Sequence, residues 1–178
     1  MFFESGIMII CIAGFSGCGK TSVGDIVAKR LGLRAIKLSF KDEAAKTGMK
    51  LMEYQELASN DRKYDEELDK AILLEAGKGN CVIMTWLGPW KIRNADLRVW
   101  LSAGVEERAR RISDRDKLSF EDAVSHVKKR DANNVERYRN YYGIDITDHS
   151  IFDLDITTEK FGKEQVAEII VRAAEFLG

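Results

Sequence analysis

The sequence predicts an α/β fold in three layers, α/β/α, with a five-stranded parallel sheet between two layers of helices. Three observations predict it. Short apolar runs recur at five places along the chain. Helical patterns fill the gaps between them, as in a parallel sheet covered on both faces. The first run leads straight into a glycine-rich loop, and the loop leads straight into a helix.

The first run, Ile7-Met8-Ile9-Ile10-Cys11-Ile12-Ala13, is unbroken, as a strand buried on both faces requires. The segment from Met1 to Cys11 is apolar but has no basic start, so it reads as the first strand and not as a signal peptide. Gly14 to Thr21 then spell G-F-S-G-C-G-K-T, which fits the phosphate-binding P-loop pattern G-x-x-x-x-G-K-[ST]. Glycines let backbone N–H groups turn inward around phosphate oxygens. The binding set is Gly14, Phe15, Ser16, Gly17, Cys18, Gly19, Lys20, Thr21 and Ser22. Lys20 supplies a point charge for β- and γ-phosphates, and Thr21 offers a hydroxyl to Mg²⁺. Val23, Ile26, Val27 and Leu31 follow at helical spacing, and Gly32 is a helix stop.

Ala35–Ser39 reads as a short strand, Cys81–Thr85 as a second buried one, and Leu97–Leu101 and Phe152–Ile156 complete the five. Right-handed crossovers place the P-loop at the carboxyl edge of the sheet, where ligands bind. Two long stretches carry no strand. Lys41–Lys78 is helical and charged, and Ser113–Gly143 is helical with a capped start at Ser119 and Asp122. Both read as inserts above the carboxyl edge that close over a substrate and exclude water.

Bulk properties exclude several function classes. The 178 residues suit one domain with a proper core, and 45% hydrophobic residues exclude a disordered chain. Lys and Arg number 28 and Asp and Glu 29, a net charge of -1, which gives no reason to expect nucleic acid as a partner. No apolar run approaches membrane-spanning length. Cys11, Cys18 and Cys81 are odd in number and widely spaced, which argues against disulfides and zinc and for a reducing cytoplasm.

Transfer of a phosphoryl group needs cations on its oxygens as the bond breaks. Arg108, Arg111 and Arg115 share one helical face, although Glu107 and Glu106 offer Arg111 and Arg110 ordinary surface pairing. Further on, Arg130, Asn134, Arg137 and Tyr141 share a face, beside an apolar seam of Val124, Val127, Val135, Tyr138 and Tyr142. Asp131 interrupts that seam and should reach water or pair with an arginine, Arg130 or Arg137 being the nearest. Trp86 and Trp90 flank Pro89, the single proline, and either wall an acceptor pocket or pack in the core. Asp61, Asp65 and Asp69 are spaced by four and either read an amino group, orient a lysine or form a solvated face. His126 reads as a helix-surface residue and His149 as a turn residue, with no catalytic role.

With these residues in view, the chain resembles the nucleoside monophosphate kinases of the P-loop NTPase fold, most closely the archaeal-type cytidylate kinases. The resemblance runs over nearly the whole chain. It rests on G-F-S-G-C-G-K-T, G-M-K-L-M-E-Y from Gly48, Asn60-Asp61, A-D-L-R-V-W-L from Ala95, E-R-A-R-R-I from Glu107, and R-D-A-N-N-V-E-R-Y from Arg130. It implies a single kinase domain over residues 1–178, an acceptor-binding insert at about 38–78 and a lid at about 113–142. It implies ATP and Mg²⁺ at the P-loop and transfer of the γ-phosphate to CMP, with dCMP and UMP as related acceptors. Lys20, Arg111, Arg115, Arg130 and Arg137 would be catalytic. Lys41, Asp61, Asp65 and Trp86 would bind the acceptor, and Thr21 the metal. Small molecules would be the partners, without nucleic acid or membrane, for a monomer or weak dimer.

Two departures concern the acceptor. The family's Gly-Arg pair after the third strand is replaced by Thr85-Trp86, and the stretch with a Phe-Arg pair after the second strand is shortened to Ser39-Phe40-Lys41. Lys41, Lys46, Arg62 and Arg93 are the cations available to replace the missing arginines, without the bidentate fork where lysine substitutes. Two other readings keep the fold: a kinase for another small metabolite, with Asp42, Asp61 or Asp65 as general base, and an ATP-binding regulator without turnover.

Overall fold

The computed structural model describes residues 7–177; Met1–Gly6, the start of the expected first strand, and Gly178 lie outside the described residues. The chain runs β1 (Ile9–Ala13), α1 (Lys20–Leu31), β2 (Arg34–Ile36), α2 (Phe40–Thr47), α3 (Leu51–Asn60), α4 (Lys63–Ala76) and β3 (Cys81–Met84). It continues as α5 (Gly88–Lys91), β4 (Leu97–Ser102), α6 (Val105–Asp116), α7 (Phe120–Tyr142), β5 (Leu154–Thr157) and α8 (Lys163–Glu175). The five strands form one parallel sheet in the order β2-β3-β1-β4-β5.

The side-chain alternation of β1 splits its apolar run between two cores. Ile10 and Ile12, with Val82, Met84, Val99 and Leu101, pack against Val23 and Val27 of α1 and Val166 and Ile170 of α8. Ile9 and Cys11, with Cys81 and Ile83, pack against Ile72 and Ala76 of α4. Central β1 needs both faces apolar because helices cover both. Its register pairs Ile10 with Val82 on one side and Leu97 on the other.

Strand bounds differ from the sequence reading in every strand: β1 begins two residues later, β3 ends one residue earlier, β4 ends one residue later, and β2 and β5 shift at both ends. The second strand ends at Ile36, because Leu38 turns into the core beside α4 and Ser39 precedes the first turn of α2. The fifth strand begins at Leu154, because Phe152 closes a turn on the His149 carbonyl and packs against Trp90 and Trp100. α1 ends at Gly32 in the left-handed region, as its sequence predicts.

The two strandless stretches are helical, as the sequence predicts. The far half of α4 covers the sheet, while its first turns pack with α2 and α3. α6 runs unbroken through Ser113, so the stretch expected as a lid starts inside α6 and continues as α7. Ala109 and Ile112 of α6 pack on Ala123 and Val127 of α7. α7 also leans on the insert: the Tyr141 hydroxyl lies 2.9 and 3.0 Å from the Ala58 and Ser59 carbonyls.

Ser119 caps α7 by accepting from the Asp122 N–H at 3.1 Å. Ser119→Ala should cost about 1 kcal/mol and lower the melting temperature by roughly 2–4 °C for a chain of this size. Calorimetric melting of the variant against the parent checks it.

Candidate active site

The loop between β1 and α1 takes its shape from glycine. Gly14, Gly17 and Gly19 have φ of 146°, 85° and 90°. A Cβ at Gly17 would stand 2.8 Å from the Arg108 carbonyl oxygen, so α6 presses directly on the loop. A Cβ at Gly19 would meet nothing within 4 Å, because that side fronts an open cleft. The cleft holds about 650 Å³. Ser16, Gly17, Gly19, Lys20, Thr21 and Ser22 line its floor. Thr21 and Ser22 lie exposed in the first turn of α1. Gly14 and Phe15 stand behind the floor and act through their carbonyls, and Cys18 is buried in the core, where desolvation pushes its thiol up.

Lys20 folds back over its own loop. Its Nζ donates to the Gly14 carbonyl at 2.6 Å and the Phe15 carbonyl at 3.1 Å, and stands 5.2 Å from the centre of the Trp86 ring. Burial brings its pKa down to about 8. The site therefore holds a cation that gains strongly from an anion beside it.

The arginines separate by task. Arg108 is 4% exposed and faces the loop from beneath. It donates to the Ala103 carbonyl at 3.0 Å, the Ser16 carbonyl at 3.1 Å and the Asp131 carboxylate at 2.7 Å, and covers the Phe15 ring. Asp131 thus pairs with Arg108, where the sequence pointed to Arg130 or Arg137. The reason is tertiary: α6 crosses beneath α7 at that turn, and the pairing partner lies on the other helix. Arg111 donates Nε to Glu107 and its terminal nitrogens to the Gly17 carbonyl and to Thr158, clasping the loop to the segment after β5. Arg115 is held bidentately by its neighbour Asp116, at 2.8 and 2.5 Å. Asp116 also lies 3.7 Å from Lys41 across the cleft mouth. Arg130 makes no ion pair among the described residues, its Nε is buried without a partner, and burial draws its pKa down to about 10. Arg111, Arg115 and Arg130 all line the cleft.

The wall opposite comes from α3, α4 and α7. Arg137 is 3% exposed, with Nε 3.1 Å from the Asp65 carboxylate and its guanidinium 4.8 Å from the Phe40 ring centre. Burial pushes Asp65 up to about 6, against the lowering effect of Arg137. Asp69 lies 3.4 Å from Lys91, the lysine-orienting alternative for that spacing. Trp86 lines the cleft, while Trp90 packs against Trp100 and Phe152 away from it. Lys41 lines the cleft; Lys46, Arg62 and Arg93 do not. Asp61, expected at the acceptor, is exposed outside the cleft and accepts from the Lys63 N–H at the start of α4. The turn chemistry of Asn-Asp before a helix overrode the spacing of four. Asp42, a candidate base, lines the cleft mouth and accepts from the Ser39 hydroxyl. His126 is half-buried among Asp116, Arg115 and Arg130, and His149 pairs with Asp155.

Sequence reading missed Gln55. It is 1% exposed, lines the cleft and donates to Asn134 at 3.3 Å. A glutamine inside a charged helical stretch carries no signal of burial. It is found only by folding α3 against α7. Among the described residues, no group of three or more His, Cys, Asp or Glu is placed to hold a metal. No helix among them is long and apolar enough to cross a membrane.

The chain matches the model of the cytidylate kinase-like family over residues 9–160. It is 37% identical over 172 residues to the cytidylate kinase of Pyrococcus horikoshii, covering 96% of this chain and 90% of that protein. It is 38% identical over 167 residues to the cytidylate kinase of Ignicoccus hospitalis, covering 92% and 97%. Among solved structures it is similar to shikimate kinase from Acinetobacter baumannii in complex with shikimate, with a TM-score of 0.61, 19% identity and coverage of 96% and 94%. That last likeness concerns the fold alone.

Removing Asp131 would strand the buried Arg108 charge. Asp131→Ala should destabilise by about 3 kcal/mol or more, read as a large drop in melting temperature together with weakened ATP binding. Lys20 sets a pH dependence. A phosphate chain raises its pKa, so binding takes up protons wherever the free protein has lost them. ATP affinity should be level below pH 8 and fall above it, with uptake approaching about half a proton at pH 8. Calorimetry in buffers of different ionisation enthalpy measures the uptake, and Lys20→Ala should abolish it.

Proposed function

The chain belongs to the cytidylate kinase-like family, and on that footing we propose that it transfers the γ-phosphate of ATP to CMP, giving ADP and CDP, with dCMP and UMP as related acceptors. The observation that carries the reading is a single cleft with a phosphate-binding loop on one side and a buried polar wall, shared by insert and lid, on the other.

Lys20 leaves the Gly14 and Phe15 carbonyls for the β- and γ-phosphates and follows the transferred group. Arg130, the lining arginine without an ion pair, is free to meet the equatorial oxygens. Arg115 joins it when phosphate displaces Asp116. Arg111 keeps the loop in shape, and Arg137 offers its unpartnered Nη1 from the acceptor wall. The acceptor phosphate is already an anionic nucleophile, so positioning and charge neutralisation suffice and no strong base is needed. The exposed Thr21 hydroxyl fits Mg²⁺, with nucleotide and water oxygens completing its shell, and the ion would neutralise charge on the phosphates. Lys41 and the face of Trp86 stand where arginines bind the acceptor in the family pattern. Three free buried cysteines fit a reducing cytoplasm, and the balanced charge fits a monomer or weak dimer acting on small molecules.

A hydroxyl-bearing metabolite is the second reading. Asp65, buried at the cleft wall with a pKa near 6, is a base of suitable strength for it.

ADP formation from ATP and Mg²⁺ should rise strongly with CMP and least with GMP. Lys20→Ala should lower the CMP rate by several powers of ten, roughly the scale of losing a phosphate clamp, with the fold kept. No response to any nucleoside monophosphate moves the assignment to the hydroxyl acceptor. Tight ATP binding with no acceptor-dependent ADP at all points to a regulator.

A further inference from the structure

The acceptor wall carries a polar pattern that phosphate chemistry leaves unused. Gln55 and Asn134 are 1% and 0% exposed and both line the cleft. The Gln55 Oε1 and Asn134 Nδ2 atoms are buried and have no protein partner. Leaving such atoms unpaired is costly, so these two amides call for a ligand that supplies one donor and one acceptor.

Which of these atoms donates is fixed by the neighbours. Arginine has donors and no acceptor. Arg137 Nη2 donates to Asn134 Oδ1 at 2.9 Å, so the Asn134 oxygen must face Arg137. The same oxygen receives Gln55 Nε2 at 3.3 Å, so the Gln55 amide nitrogen must face Asn134. What remains is an oxygen on Gln55 and an amino group on Asn134. Arg137 cannot swing away to permit the reverse: it is ion-paired to Asp65 at 3.1 Å and covered by Phe40.

We propose that Gln55 and Asn134 read the base of the acceptor nucleotide, selecting an exocyclic amino group beside a bare ring nitrogen over a carbonyl beside a ring N–H. The assignment rests on the CMP kinase reading and deepens it. The amino group of cytosine donates to Gln55 Oε1, and its ring nitrogen accepts from Asn134 Nδ2. Uracil has the same outline and the opposite pattern. Its carbonyl meets the Gln55 oxygen and its N–H meets the Asn134 amino group. Turning both amides to suit uracil would keep a bond between them with its direction reversed, but would set the Asn134 amino group against the Arg137 guanidinium, donor against donor. Discrimination is thus imposed by a fixed cation through two amides.

The test compares kcat/KM for CMP and UMP in the parent, Gln55→Met and Asn134→Asp, with ATP binding as the check on folding. Asn134→Asp still accepts from Arg137 and Gln55 but replaces the donor toward the base by an acceptor. The parent should prefer CMP by about 10- to 100-fold, the scale of a paired base contact. Gln55→Met should lower that ratio about 10-fold, and Asn134→Asp should shift it further toward UMP. The parent should also use a CMP analogue lacking the 4-amino group at least about 10-fold less well than CMP, a measurement that needs no variant. A CMP:UMP ratio unchanged within about threefold in either variant that binds ATP, or an analogue used as well as CMP, overturns the base-reading role while leaving the kinase reading intact. A parent that forms ADP with neither CMP nor UMP overturns both.

Discussion

The buried guanidinium of Arg108 is the point on which the site depends. It joins the P-loop through Ser16, the turn after β4 through Ala103, and the lid helix α7 through Asp131, and it lies over the Phe15 ring. A buried charge is tolerated only when its donors are occupied and its charge is matched. Here Nε and Nη1 donate to groups from three separate stretches of chain, and Asp131 matches the charge. The loop, the root of the lid and α7 are therefore held in one arrangement by one side chain. The steric closeness of Gly17 to Arg108 works the same way, since α6 could not press on the loop if position 17 carried a side chain.

The remaining cations are mostly engaged with the protein itself. Lys20 is held by two loop carbonyls, Arg115 by Asp116, and Arg111 by Glu107 and Thr158. Asp116 also stands near Lys41, and under the proposed reading a phosphate chain would compete with Asp116 for Arg115 and with the loop carbonyls for Lys20. Arg130 differs, being desolvated and without an ion pair among the described residues. Insert and lid are already in contact through Tyr141, Gln55–Asn134 and Asp65–Arg137. Under the proposed kinase reading, these helices would move over an acceptor as joined elements.

The sequence by itself determined the sheet and the loop. One unbroken apolar run and four further short strand-like runs, a glycine pattern with Lys20 and Thr21, Gly32 as a helix stop and Ser119 as a cap are local facts, legible because period and turn chemistry act over a few residues. It also placed Arg130, Asn134 and Arg137 on one face, because helical spacing is fixed. Partners were decided by the tertiary structure. Asp131 chose Arg108 across two helices, Asp61 served a turn, Trp90 went to an aromatic core while Trp86 reached the cleft, and Gln55 became a buried polar residue with nothing in its flanking sequence to mark it. These outcomes depend on which helices pack together and at what height. That is set by the whole core and its cost of burying each charge or amide, and no stretch of the chain taken alone encodes it.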